Sequence, residues 1–171
     1  MEALVDLTAP STTTKVRVSS VLNRNVKEFG VAHLFDGSPD TCWNSDQGSP
    51  QWIWLQFQRP VHIHTIQIMF QDATAGVRPK TKAASDLVTS FCPNDDNSLQ
   101  SFHLSEPIAV TAAALAVGEA GRAAIEAAAA PKPPMVTDMR LTFLSSFDFY
   151  GRITAYQLAV LGWEQGEEEG R

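Results

Sequence analysis

Three aspartates, Asp36, Asp40 and Asp46, fall within eleven residues, with the hydroxyls of Ser38 and Thr41 between them. Carboxylates so spaced can act as general acid and base, gather a cation, or close turns by accepting backbone N–H groups. Trp43 beside them marks a packed loop, so turn closure is the expected role. His62 and His64 stand two apart and so share one strand face, a geometry that could begin a zinc site. Zinc needs three or four ligands, and no Cys or His cluster lies in sequence reach to complete the set. Two solvent-facing histidines are expected instead. The chain has no Gly-x-Ser-x-Gly elbow, no activated-cysteine signature and no Gly-rich phosphate loop. It is expected not to be an enzyme, and no catalytic residue is assigned.

The elements that must position these groups read as short β runs: 15–18, 51–58, 61–70, 86–92, 98–104, 138–144 and 152–161. Each is rich in β-branched and aromatic residues and is bounded by Pro, Gly, Asn or Asp. In 51–58, Ile53, Leu55 and Phe57 alternate with Trp52, Trp54 and Gln56, as a half-buried strand requires. Trp54 therefore points away from the core side, as an interface anchor or under a covering segment. Val61 and Ile63 hold one phase and Ile66, Ile68 and Phe70 the other, which predicts a bulge near Thr65. Short strands without βα alternation predict an all-β antiparallel sandwich.

At 171 residues, 44% of them hydrophobic, the chain suits one domain. A net charge of −6 and a pI near 5.1 argue against nucleic acid and membrane surfaces as partners. No signal segment or membrane-spanning run is seen, and Cys42 and Cys92 read as reduced, buried thiols, so an intracellular protein is expected. Residues 1–14 read as a flexible lead-in and 164–171 as an acidic, disordered tail, leaving 15–163 as the domain. Within it, 109–134 is an Ala/Pro-rich loop insertion, partly helical, with 12 alanines in 109–130. Filler or a partner-binding helix using Leu115 and Ile125 are the two readings of that insertion.

The stretch VAHLFDGSPDTCWNSDQGSPQWIWLQF at 31–57 joins an Asp-Gly turn, a Thr, a Trp and a Pro-Gln-Trp strand opening. It resembles the discoidin-like (coagulation factor C domain, galactose-binding-like) jelly rolls, and FDFYGRITAYQLAVLG at 147–162 resembles their last strand. SSVLNRN at 19–25, HLFD at 33–36, TCWNSDQG at 41–48 and DNSLQ at 96–100 are similar to the small nuclear-receptor-associated proteins of that superfamily. The resemblance implies an eight-strand jelly-roll β-sandwich and a non-enzymatic protein-interaction module. It further implies binding to an orphan nuclear receptor, repression of its transcriptional activity, and a nuclear or cytoplasmic address. Alternatives within the superfamily are a structural subunit of a larger assembly, such as a ciliary complex, and a calcium-dependent glycan- or ligand-binding module. Its loops imply a binding rim of Trp43, Asn44, Asp46, Gln47 and Arg152, with the Trp54 face as an addition. A family calcium site would fall on His33, Asp36, Ser38, Thr41 and Gln157, with Asp40 as a second carboxylate. Ser38 and Gln157 replace acids or amides there, so the adopted reading is an Asx turn at Asp36 with no cofactor.

Overall fold

From Gln51 through Pro60 to Phe70 the chain forms a single 20-residue strand, its alternation interrupted at Arg59–Pro60 and again at Thr65–Ile66. The two runs expected on either side of Pro60 are thus one element. Proline cannot donate to a ladder, and it sits where the pairing shifts register, between Gln56 and Val61. The structure, a computed structural model, describes residues 4–71, 77–81, 91, 93–94, 96–104, 135–146 and 148–164. The strands are β1 (Val5–Asp6), β2 (Thr13–Val18), β3 (Trp43–Asn44), β4 (Gln51–Phe70), β5 (Val77–Thr81), β6 (Leu99–His103), β7 (Met135–Phe143) and β8 (Thr154–Glu164). One short α-helix, α1 (Val26–Phe29), lies between two 3-10 helices, Leu22–Arg24 and Val31–Leu34, ahead of β3.

The pairings among the eight strands are antiparallel. The first half of β4 lies between β2 and β7, with β5 beyond β7. Its second half lies between β6 and β8, with β1 and β3 on β8. One strand therefore serves both layers of an antiparallel jelly roll. The bulge expected near Thr65 is present as a register shift between Ile63 and Thr65, and it turns both Thr65 and Ile66 inward. Ile53, Leu55, Ile66, Ile68 and Phe70 from β4 meet Met139, Leu141 and Phe143 from β7 and Leu158 and Val160 from β8 in one core. Each such side chain contributes roughly 1.5–3 kcal/mol by leaving water.

The amino-terminal segment differs from its expectation as a lead-in outside the core. Leu7 is fully buried, β1 pairs with β8, and Leu7 N–H donates to the Val160 carbonyl at 2.7 Å. Leu4, Val5 and Leu7 form too short an apolar run to show a period, so the sequence does not betray which of them is buried. At the other end Glu164 belongs to β8 and accepts a hydrogen bond from the Thr12 hydroxyl at 2.7 Å. The last strand is Thr154–Glu164, against an expected 152–161. The run at 86–92 except Phe91, the insertion at 109–134 and the tail from 165 lie outside the described residues.

Gly162 lets β8 approach β4 and the amino-terminal segment together. A Cβ there would lie 2.0 Å from the His62 carbonyl oxygen and 2.7 Å from Leu7 Cδ1. Since a backbone oxygen in a paired strand cannot retreat, Gly162→Ala is expected to cost about 3 kcal/mol. Equilibrium denaturation measures it; a loss under about 0.5 kcal/mol would mean that the strands separate easily at this point.

Candidate functional site

Two loops at one end of the sandwich are joined into a rigid rim. The first follows β3 and runs from Ser45 to Pro50; the second runs from Asp148 to Arg152. Beneath them lies a polar knot. Gln51, 5% exposed, donates through Nε2 to the carbonyls of Gly48 at 2.7 Å and Asp46 at 3.2 Å. Its Oε1 accepts from the hydroxyls of Ser19 and Ser20. Fully buried Ser45 accepts from Ile153 N–H and donates to the Asp46 carbonyl, both at 2.9 Å. Buried polar groups satisfied this completely fix one loop geometry.

The second loop is organised by Asp148. Its carboxylate takes Arg152 in a two-pronged pair, Nη2 at 3.0 Å and Nε at 3.2 Å, and also the N–H groups of Tyr150 and Arg152. The guanidinium and these donors hold Asp148 below its ordinary 3.8. Gly151, at φ +74°, turns the chain back, and a Cβ there would press on Gly48 and Ser49. Gly48 N–H donates to the Tyr150 carbonyl at 2.9 Å, which ties the two loops together. At the crest the Phe149 ring is 94% exposed and Tyr150 53%, packed edge to face at 5.3 Å, with Arg152 over the Tyr150 ring at 5.1 Å. Exposed aromatic pairs on fixed loops are the kind of surface that interfaces use as anchors.

Of the rim residues expected from the sequence, Gln47 is exposed and Asp46 half-buried at the crest of the first loop. Trp43 must be corrected as a contact residue. It is fully buried, its Nε1–H donates to the Ser20 carbonyl at 3.0 Å, and its ring lies 6.0 Å from Phe143, so it supports the rim from below. Asn44 is half-buried, and its buried Oδ1 meets no hydrogen-bond partner among the described residues. Arg152 is half-buried and committed to Asp148. Trp54 lies on a sheet face, away from the rim loops, with Nε1 3.4 Å from Asp138 Oδ1. Sequence reasoning missed Phe149 and Tyr150; the aromatic doublet ahead of Gly151 in a loop was the available signal.

The Asp36 carboxylate accepts from Ser38 N–H at 2.9 Å, the Thr41 hydroxyl at 2.6 Å and the His33 ring at 3.1 Å. The other nitrogen of His33 lies 3.0 Å from the Lys27 carbonyl. This is a closed Asx turn. Donors sit where a cation would need lone pairs, and only one carboxylate is in the set, so the residues fit calcium poorly. Gln157 lines an adjoining groove of about 610 Å³ with Lys15, Phe35 and Gly37. Thr41, Ser38 and His33 hold Asp36 down to about 2, while Asp36 and the Lys27 carbonyl raise His33 above 6.5. A lowered carboxylate stabilises above 3.8 and loses that contribution as pH falls towards 2; a raised histidine contributes fully below 6.5 and loses it as pH rises through its folded value. The corner is therefore expected to be firmest between those limits. An NMR titration should place His33 above 6.5, and Asp36→Asn should return it towards 6.5; an unchanged midpoint would break the pairing.

His62 and His64 are half-buried. The β4–β6 pairing brings His103 beside His64, and both Nδ1 atoms meet the Thr65 hydroxyl, at 2.7 and 3.0 Å. Thr65 is 3% exposed, out of reach of a substrate, and no group of three metal-ligating side chains forms among the described residues. Cys42 is a half-buried free thiol whose burial raises its pKa. Among the described residues no helix is long and apolar enough to cross a membrane.

The model of the NedA-like, galactose-binding domain family matches residues 33–84. Solved structures with the same fold include the family 32 carbohydrate-binding module of C. perfringens NanJ in complex with galactose. It has a TM-score of 0.65 at 10% identity and covers 93% of this chain and 99% of that one. The C-terminal domain of a chitobiase from Bacteroides fragilis gives 0.64 at 13% identity, covering 94% and 99%. Among sequence relatives, the nuclear receptor 2C2-associated protein of Danio rerio is 38% identical over 154 residues, covering 87% of this chain and 91% of that one. The Homo sapiens protein of that name is 36% identical over 152 residues, covering 85% and 89%. With identity at this level across nearly the full length of both partners in each comparison, the chain belongs to the nuclear receptor 2C2-associated protein family.

Proposed function

We propose that this chain is a non-catalytic protein-interaction module that associates with a nuclear receptor and represses its transcriptional activity. The relatives' names supply the partner class. What carries the mechanism is the exposed Phe149–Tyr150 pair on a loop locked by Asp148 and Arg152 and tied to Gly48. A rigid aromatic anchor loses little conformational entropy when it enters a partner's pocket, so its burial turns efficiently into affinity. A glycan would find the Phe149 ring open but the Tyr150 ring covered by Arg152, and the relatives' names tip the reading towards a protein partner. The module would act wherever the receptor resides, in nucleus or cytoplasm, and needs no cation at the Asp36 turn. The test is co-precipitation of purified nuclear receptor 2C2 with the full chain. Retention lost on Phe149→Ala supports the rim; failure of the wild type to retain the receptor removes the reading.

A further inference from the structure

The outer face of the sheet formed by β2, the first half of β4 and β7 concentrates positive charge in an acidic protein. Register lines up Arg17, Trp54 and Arg140 across three strands, with Lys80 of β5 opposite Arg140. Two residues along, Trp52 stands opposite Thr142, and Arg78 opposite Thr142. The Arg140 guanidinium lies over the Trp52 ring at 4.7 Å and that of Arg17 over Trp54 at 5.8 Å, both within cation–π range. Both arginines are exposed, as is Lys15 on the same face. Among the described residues at these register positions the one acid is Asp138. It is 8% exposed, and its carboxylate already receives the Trp54 N–H and the Thr137 hydroxyl. No ion pair neutralises Arg17 or Arg140 among the described residues.

From this arrangement we infer that the Arg17–Trp54–Arg140–Trp52 face is a second docking surface, distinct from the rim, that takes an acidic segment of a protein partner. The indoles seat the guanidiniums by cation–π contact, and among the described residues no acceptor meets their N–H forks, whose geometry matches carboxylates two at a time. Arg17 and Arg140 flank Trp54 from the strands on either side, two strand spacings or about 9.6 Å apart, a separation that carboxylates a few residues apart on one extended acidic chain can span. Single-stranded nucleic acid is the weaker fit, because the guanidiniums occupy the ring faces on which bases would stack. Charge complementarity chooses the occupant: the surface is basic although the chain as a whole carries −6.

The probe is a fluorescein-labelled ten-residue glutamate peptide, titrated with the full chain at low salt while anisotropy and tryptophan fluorescence are read. Saturable binding is expected, weakened about tenfold by Arg17→Ala with Arg140→Ala and by raising salt to about 0.3 M. Arg17→Lys with Arg140→Lys keeps the charge but not the fork, and should fall between. Circular dichroism and the melting curve confirm that the variants are folded. The inference is overturned by no saturable binding, by undiminished binding in a folded double variant, or by an oligothymidine that binds tighter than the peptide. Receptor plays no part in this assay, so it can fail while the rim reading stands, and the reverse.

Discussion

Phe149→Ala is expected to weaken capture of the nuclear receptor about 30-fold, some 2 kcal/mol, while the melting temperature stays within about 1 °C. The two halves of this expectation come from the same observation. A ring that is 94% exposed contributes almost nothing to the fold, so its removal leaves the core, the Asp148–Arg152 pair and the Gly48–Tyr150 tie intact. The same ring has its whole apolar surface left to bury against a partner, and aromatic residues dominate the binding energy of interfaces. Surface plasmon resonance against purified receptor, paired with differential scanning calorimetry, measures both. Equal affinity for wild type and a folded Phe149→Ala variant would take the rim out of the mechanism.

The largest effect on stability should come from Trp43→Ala, at about 3–5 kcal/mol. Three losses combine there. A fully buried indole leaves a cavity against Phe143, the Ser20 carbonyl loses its donor, and the strand pairing of Trp43 with Ala155 loses the side chain that packs beneath it. Against a total stability of roughly 5–15 kcal/mol, that is enough to leave the chain partly unfolded at 37 °C. Trp43→Phe refills most of the volume but not the N–H bond, so about 1–3 kcal/mol is expected. Urea denaturation ranks the three proteins; if Trp43→Ala cost less than about 1 kcal/mol, the indole could not be the floor on which the rim rests.

Much of the fold was legible because a half-buried strand writes its two faces into the sequence. Ile53, Leu55 and Phe57 gave the inner face directly, and the phase change between Ile63 and Ile66 gave the bulge. Pro60 misled, since a residue that cannot donate looks like a strand end when it falls instead at a register shift. Leu7 is buried by distant partners on β8, and nothing local records that. The candidate site was legible in part for a similar reason. Asp36 and Thr41 are close in sequence, so their turn could be foreseen, whereas the exposure of Phe149 depends on how Asp148 and Arg152 fold the chain beneath it. Nor can a net charge of −6 disclose that Arg17 and Arg140 meet across Trp54, because register is a property of three strands together.

The 20-residue strand common to both layers has a consequence for how the molecule comes apart. Neither layer owns its central strand outright, so neither can melt, or assemble, while the other persists. Cleavage between Arg59 and Pro60 would divide the chain into fragments that each hold half of that shared spine, and would act on the whole domain at once. Hydrogen exchange at the midpoints of both halves should therefore report one common opening event, with the Phe149–Tyr150 loop and the basic sheet face lost in the same step.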